Sequence, residues 1–220
     1  MRVAGADIWR GRWVVVVLND RRFERVFLSP TIGAALDELS EARVIGVDMP
    51  ISLPEHGRPR PADVQAREYV GRRWQSVFMT PPIELLSLSS QAEANDVARA
   101  NGWAGISAQA YALKTTILQV QPVAIRDARV YEVHPEVSFV RANREVPLPW
   151  TKGSWNGIAL RRRILGDHGI LIPDDLGEAG VAGVADVLDA AIAAWSASRV
   201  AASEAESMPV GSPRIGAIWR

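Results

Sequence analysis

The chain has 220 residues, enough for one sizeable core and marginal for two domains. Lys plus Arg number 25 and Asp plus Glu number 25, and this balance excludes a strongly basic coat for nonspecific nucleic-acid binding, leaving at most a local basic groove. There is no cysteine, which excludes disulfides, thiolate catalysis and Cys-ligated zinc and suits a reducing compartment.

The apolar fraction of 48% and the charged fraction of 23% are those of an ordinary globular protein. Residues 2–9 (RVAGADIW) read as a first strand. Arg10-Gly11-Arg12 follows as a tight turn. Residues 13–18 (WVVVVL) are apolar and β-branched, as in a strand covered on both faces. Asn19-Asp20 makes a second turn, and 22–28 (RFERVFL) alternates as a third strand. Such short connections imply an antiparallel meander. Ser29 or Thr31 is placed to cap a helix carrying Ile32, Ala35, Leu36 and Leu39. A strand at 43–48 ends on Asp48, and two prolines follow it in VIGVDMPISLP.

The pattern then turns helical. A helix is expected at 61–74, with Pro61 in its first turn. A loop is expected at 76–90, with further helices at 91–101 and 107–120. RVYEVH at 129–134 alternates as a strand that Pro135 stops. A helix at 156–166 carries Arg161-Arg162-Arg163, and a long final helix runs from Gly180 to about Ala202. RIGAIW at 214–219 is expected to add an edge strand. No repeat or domain-sized composition shift interrupts the chain. The expected architecture is one α/β domain over 1–220. Its sheet is mixed and five-stranded, three antiparallel strands followed by parallel ones, with helices on both faces and a mainly helical insertion at about 55–127. No signal peptide is visible, and WVVVVL is far too short to span a bilayer. The reading is a soluble, cytoplasmic protein without a membrane partner.

Carboxylates stand where structural residues are expected. Asp7 lies inside the first strand, where taken alone it also reads as a solvent-facing residue. Asp48 ends an apolar strand, and ligands of open α/β sheets bind outside the carboxyl ends of such strands. Glu132 lies within RVYEVH, on the same face as His134 by alternation and a neighbour for Asp48. On the last helix, Val184, Leu188, Ala191, Ile192 and Trp195 form one stripe, with Asp186 and Asp189 opposite among alanines and a serine. Small residues there permit close approach, so the helix is expected to be buried on both sides. The i,i+3 spacing points both aspartates the same way, and the helix N-terminus favours their charge. If these acids converge at neutral pH they require a cation, and oxygen-only ligands select Mg2+ or Mn2+ over zinc.

These stretches carry a resemblance. GADIWRGRW, VIGVDMPISLP, QAREYVGRRWQSVFMTPP, SAQAYALKTTILQVQP, VYEVHPEVSF, ADVLDAAIAAW and RIGAIW occur in this order over nearly the whole chain. The chain resembles the family catalogued as domain of unknown function 429, described as predicted nucleases with a ribonuclease H-like fold. The resemblance implies a ribonuclease H-like core with metal-binding acids from the first strand, the strand after the first helix and the final helix: Asp7, Asp48, and Asp186 or Asp189. The chain departs from the family where two adjacent acids often stand at Ala185-Asp186, where an acid often stands at Ala217, and where Gly-Gly often replaces Gly11-Arg12.

The expected activity is divalent-metal-dependent phosphodiester hydrolysis, nuclease-like, on nucleic acid or a small phosphoester. Asp7, Asp48 and Asp186 are the expected metal ligands, and Asp189 and Glu132 are further catalytic candidates. Lys114, Arg73, His134 and Glu136 are candidates for holding the substrate, with Lys152 a further phosphate partner and Trp74, Trp103, Trp150 and Trp155 as stacking surfaces. Arg-rich helix segments are also ordinary solvated faces, and a lone His after a strand is often structural. Two alternatives stand beside this reading: phosphoryl transfer or an ATPase on the same core, which lacks its Gly- and Thr-rich turn in WRGRW, and a non-catalytic scaffold that keeps the fold. There is no Walker loop, no GxGxxG and no GxSxG elbow.

Overall fold

The computed structural model describes all residues from Met1 to Arg220. Strands β1 (Arg2–Trp9), β2 (Arg12–Asn19) and β3 (Arg22–Ser29) form the expected meander. Each hairpin has a two-residue loop whose central residues both take positive φ: Arg10 and Gly11 in the first, Asp20 and Arg21 in the second. That is the geometry whose twist matches paired strands. Thr31 caps α1 (Ile32–Glu38) by accepting from the Ala34 amide, while Ser29 bonds instead to the Thr31 carbonyl.

Strands β4 (Ile45–Val47) and β5 (Val130–Glu132) complete the sheet in the order β3-β2-β1-β4-β5. The β1–β4 and β4–β5 pairs are parallel. Both late strands are shorter than expected, and β5 stops just before Pro135 opens the next helix. Helices α2 (Pro61–Val70), α3 (Ile83–Leu86), α4 (Gln91–Ala100), α5 (Ala108–Ala112) and α6 (Lys114–Arg126) lie between them. The helix expected at 61–74 stops at Val70, where Gly71 takes φ 58, and a 3-10 turn covers Gly71–Ser76. The one expected at 107–120 breaks at Leu113 into α5 and α6. The second piece runs past Pro122, held by the burial of Ile117, Val120 and Ala124.

Three helices follow: α7 (Pro135–Ala142), α8 (Trp155–Asp167) and α9 (Val184–Ala201). The alternation legible in β2 sorts the two cores. Val14, Val16 and Leu18 pack with α2, α7, α8 and α9 on one face. Trp13, Val15 and Val17 pack with α1 and with α3–α6 on the other. RIGAIW does not extend this sheet. Its Ile218–Trp219 (β7) pairs only with Ser207–Met208 (β6), in a separate ribbon. No helix is long and apolar enough to cross a membrane.

α9 positions the site. It is buried from Val187 to Ser198, all the way round, as its lack of a charged face implied. It lies almost on the backbone of the sheet. A Cβ on Gly5 would stand 2.1 Å from the Ala190 carbonyl oxygen, and one on Gly46 2.6 Å from that of Ala193. Only glycine leaves room for that approach.

Candidate functional site

Gly5 and Gly46 set the phase of the site. Side chains alternate along a strand, so the residues two places on, Asp7 and Asp48, point to the same face as α9. β1 and β4 run parallel with Gly5 beside Gly46, and the Asp48 amide still donates to the Ala6 carbonyl at 2.9 Å. The two carboxylates therefore emerge side by side at the carboxyl end of the sheet. α9 supplies the third. Asp189 precedes Ala190, the residue over Gly5, and turns into the same space.

Asp7 and Asp189 are buried, and Asp48 is half-buried. Asp7 is 6% exposed and Asp189 2%. One oxygen of Asp7 accepts from the Ile8 amide at 2.7 Å, and the other, Oδ2, is buried with no hydrogen-bond partner. Burial, then the charges of Asp48 and Asp189, hold the Asp7 carboxyl well above the usual carboxylate range. Asp48 is pushed up to about 8, by burial first and then by Asp189, with Lys152 working against the shift. Burial raises Asp189 too, and Lys152 again opposes it. The Lys152 ammonium donates to Asp189 Oδ2 at 2.6 Å. Its side chain is 51% exposed while that of Asp189 is 3% exposed, so it reaches in from the mouth of the site. Burial disfavours that charge, but Asp189, Asp7 and Asp48 outweigh it and hold the amine above its ordinary value.

Asp186, expected as a ligand, lies one turn earlier at the edge of the same cavity. Its carboxylate folds back toward Gly183 and Trp9, and Lys152 is the one charged side chain that perturbs it. Asp189 is thus the α9 carboxylate that meets Asp7 and Asp48.

Glu132 lines the same cavity and its charge adds to the rise at Asp48, but both its oxygens are held by Arg60. It pairs with Val47, whose side chain belongs to the opposite core. It accepts from the Ile51 amide at 2.8 Å and from Arg60 through both oxygens. Arg60 also donates to Asp63 at 2.6 Å and to the Ser52 carbonyl at 2.8 Å. Asp63 in turn accepts from the Thr80 amide at 2.8 Å. This fully buried network fixes the start of α2 and the segment before α3 against the sheet. His134 does not share it. β5 ends at Glu132, the chain turns into α7, and the imidazole sits near Glu136, Asp189 and Lys152 with its Nδ1 buried and unpartnered. Burial lowers its pKa, and Glu136 partly offsets this.

The remaining substrate candidates are engaged. Glu136 accepts from the fully buried Arg161 at 2.6 Å and from Arg73 at 3.4 Å, so two of the expected phosphate cations neutralise one carboxylate. Lys114 lies outside the cavity. It donates to the Leu88 carbonyl at 2.8 Å and the Tyr111 hydroxyl at 3.0 Å, tying α6 to the loop before α4. Trp74, Trp150 and Trp155 are exposed, whereas Trp103 covers Gly57.

Asp7, Asp48, Asp189, Lys152 and His134 open on one cavity of about 410 Å3. The three carboxylates offer a cation oxygen donors, with the His134 imidazole in the same cavity, and the orphaned Asp7 Oδ2 is the atom a hard divalent cation would satisfy. In the present side-chain arrangement no three carboxylate or imidazole groups close on a common point, and Asp189 is paired with Lys152. The residues fit Mg2+ or Mn2+ once Asp189 exchanges its partner. Neither Arg60 nor Asp63 stood out from the sequence. Their signal was local: Arg-Pro-x-Asp at a helix start, with the aspartate one turn after the arginine.

The family model described as Protein of unknown function (DUF429) matches residues 5–214, and the chain belongs to that family. No curated protein and no solved structure matches it.

Proposed function

We propose that this member of the DUF429 family has a ribonuclease H-like core and is a divalent-metal-dependent phosphodiester hydrolase of the nuclease type. The observation that carries the reading is the buried, unpartnered Asp7 Oδ2 beside two further carboxylates. Two like charges ~4 Å apart cost about 4 kcal/mol at an effective dielectric of about 20. The Lys152 ammonium offsets one of the three charges, so at neutral pH the trio either keeps protons or takes up a cation. The strand order and the origin of the acids, from the first strand, the fourth strand and the last helix, support the same reading.

Asp7 and Asp48 would hold the cation, with Asp189 as third ligand. A bound Mg2+ or Mn2+ supplies Lewis-acid polarisation of a phosphoryl oxygen and acidifies a water. Lys152, released from Asp189, is left at the cavity mouth to meet a phosphate. His134, neutral at pH 7 because burial lowers its pKa, is available to take up a proton. Calorimetry with Mn2+ and hydrolysis of bis-p-nitrophenyl phosphate test this together. Asp7→Asn is expected to lower turnover by about a hundredfold or more and to weaken Mn2+ binding. Wild-type protein that binds no Mn2+ and turns over no phosphodiester would return the chain to a scaffold role, with Lys152 as its permanent internal cation.

The exchange of Lys152 has its own expected result. Lys152→Gln removes the competitor for Asp189, so Mn2+ should bind on the order of tenfold tighter by calorimetry. Lys152→Arg, which keeps the charge, should not show that gain.

A further inference from the structure

The helices inserted between β4 and β5 do more than decorate the sheet. They roof the carboxylates. Val77, Phe78, Thr80, Gln109 and Leu113 face Asp7, Asp48 and Asp189 across the cavity of about 410 Å3. That is the size of a small-molecule site. Asp7 and Asp189 lie at its base, 6% and 2% exposed. A duplex, whose phosphates run along the outside of a stiff rod, cannot lower one of them onto groups so deep.

The roof carries a second polar atom without a partner. Thr80 is 4% exposed, and its hydroxyl is buried and unbonded. Its position is set from behind, since its amide donates to Asp63, which Arg60 holds. The cavity therefore has an acidic end for a cation and phosphoryl group. Phe78, Leu113 and Met49 give the same cavity apolar lining, with Thr80 and Gln109 among its polar residues. An apolar lining with hydrogen-bonding groups among it suits a base.

Resting on the proposed metal-dependent activity, we infer that the substrate is a nucleotide-sized phosphoester taken whole into this cavity, with Thr80 selecting its nucleoside portion. The Thr80 hydroxyl is the roof's contact, and the carboxylate end receives the phosphoryl group.

Binding and turnover are measured separately. Thymidine monophosphate is titrated into the protein with Mn2+ present, alongside glycerol phosphate, and hydrolysis of the p-nitrophenyl ester of thymidine monophosphate is compared with that of covalently closed duplex plasmid. Thymidine monophosphate should bind and glycerol phosphate should bind much more weakly. The nucleotide ester should be hydrolysed and the plasmid left closed. Thr80→Val should raise KM and Kd for the nucleotide about fivefold to tenfold with kcat kept, and Thr80→Ser should restore both. Val matches Thr in shape and the hydroxyl has no partner to lose, so this variant should fold with undiminished stability. Equal binding of the two phosphates, an unchanged KM in Thr80→Val, or nicking of the plasmid as fast as the ester is cleaved would overturn the inference while leaving the hydrolase reading standing. Tight, Thr80-dependent binding without any turnover would end the hydrolase reading and overturn the substrate role with it, leaving a nucleotide-binding site.

Discussion

Arg60→Met is expected to destabilise the protein by about 3–5 kcal/mol, the range for breaking a buried ion pair from one side. Arg60 is 5% exposed and is the only cation bonded to two buried carboxylates, Glu132 and Asp63. Methionine fills the space but leaves both acids without a counter-charge, and also removes donors from Ser52. At roughly 2–4 °C per kcal/mol for a chain of this size, Tm should fall by about 10 °C. Adding Glu132→Gln to Arg60→Met should recover part of it, because the pair is coupled. Chemical denaturation checks this, and a loss below about 1 kcal/mol in water would mean that solvent already reaches the network.

Much of the site was legible where a period carried it. The alternation of RVAGADIW and VIGVDMP, with glycines two places before each aspartate, puts Asp7 and Asp48 on the face that α9 covers. The small-residue face of α9 announced a helix buried on both sides. Periodicity does not decide between Asp186 and Asp189, because i,i+3 residues share a face. That choice depends on how far α9 slides along the sheet, which Ala190 over Gly5 settles. Partnerships across distant segments were not legible either. Glu132 and Arg60 are 72 positions apart, and Lys152 and Asp189 are 37 apart. Nothing local to Glu132 tells a strand residue bound to Arg60 from one facing Asp48. Helix α7 was hidden for a related reason: PEVSFVRA is buried from Pro135 to Val140, so no polar face marks its period. RIGAIW reads as a strand and pairs as one, but only with the two residues of β6, while its Arg214 side chain donates to the Val130 carbonyl of β5.

The acidic trio makes a sharper demand on pH. Asp48→Asn should stabilise the metal-free protein at pH 8 and do little at pH 5. A carboxyl raised from 3.8 to about 8 holds its proton in the folded chain and loses it in the unfolded one throughout that interval. The folded state then binds more protons than the unfolded state, so stability falls as pH rises from about 4 to about 8. Each pKa unit corresponds to about 1.4 kcal/mol, and because Asp7 competes for the same proton we expect a net gain from the substitution of about 2 kcal/mol at pH 8. That corresponds to a rise in Tm of about 4–8 °C. Mn2+ should reverse the order. It stabilises wild type at pH 8 by occupying the deprotonated trio, in proportion to the logarithm of its concentration over Kd, and it should move Asp48→Asn little. Thermal scans of both proteins at pH 5 and pH 8, with and without Mn2+, separate the two contributions. A wild type whose stability is flat between those pH values, and which Mn2+ leaves unmoved, would show that Asp7, Asp48 and Asp189 do not repel one another and have no need of a cation.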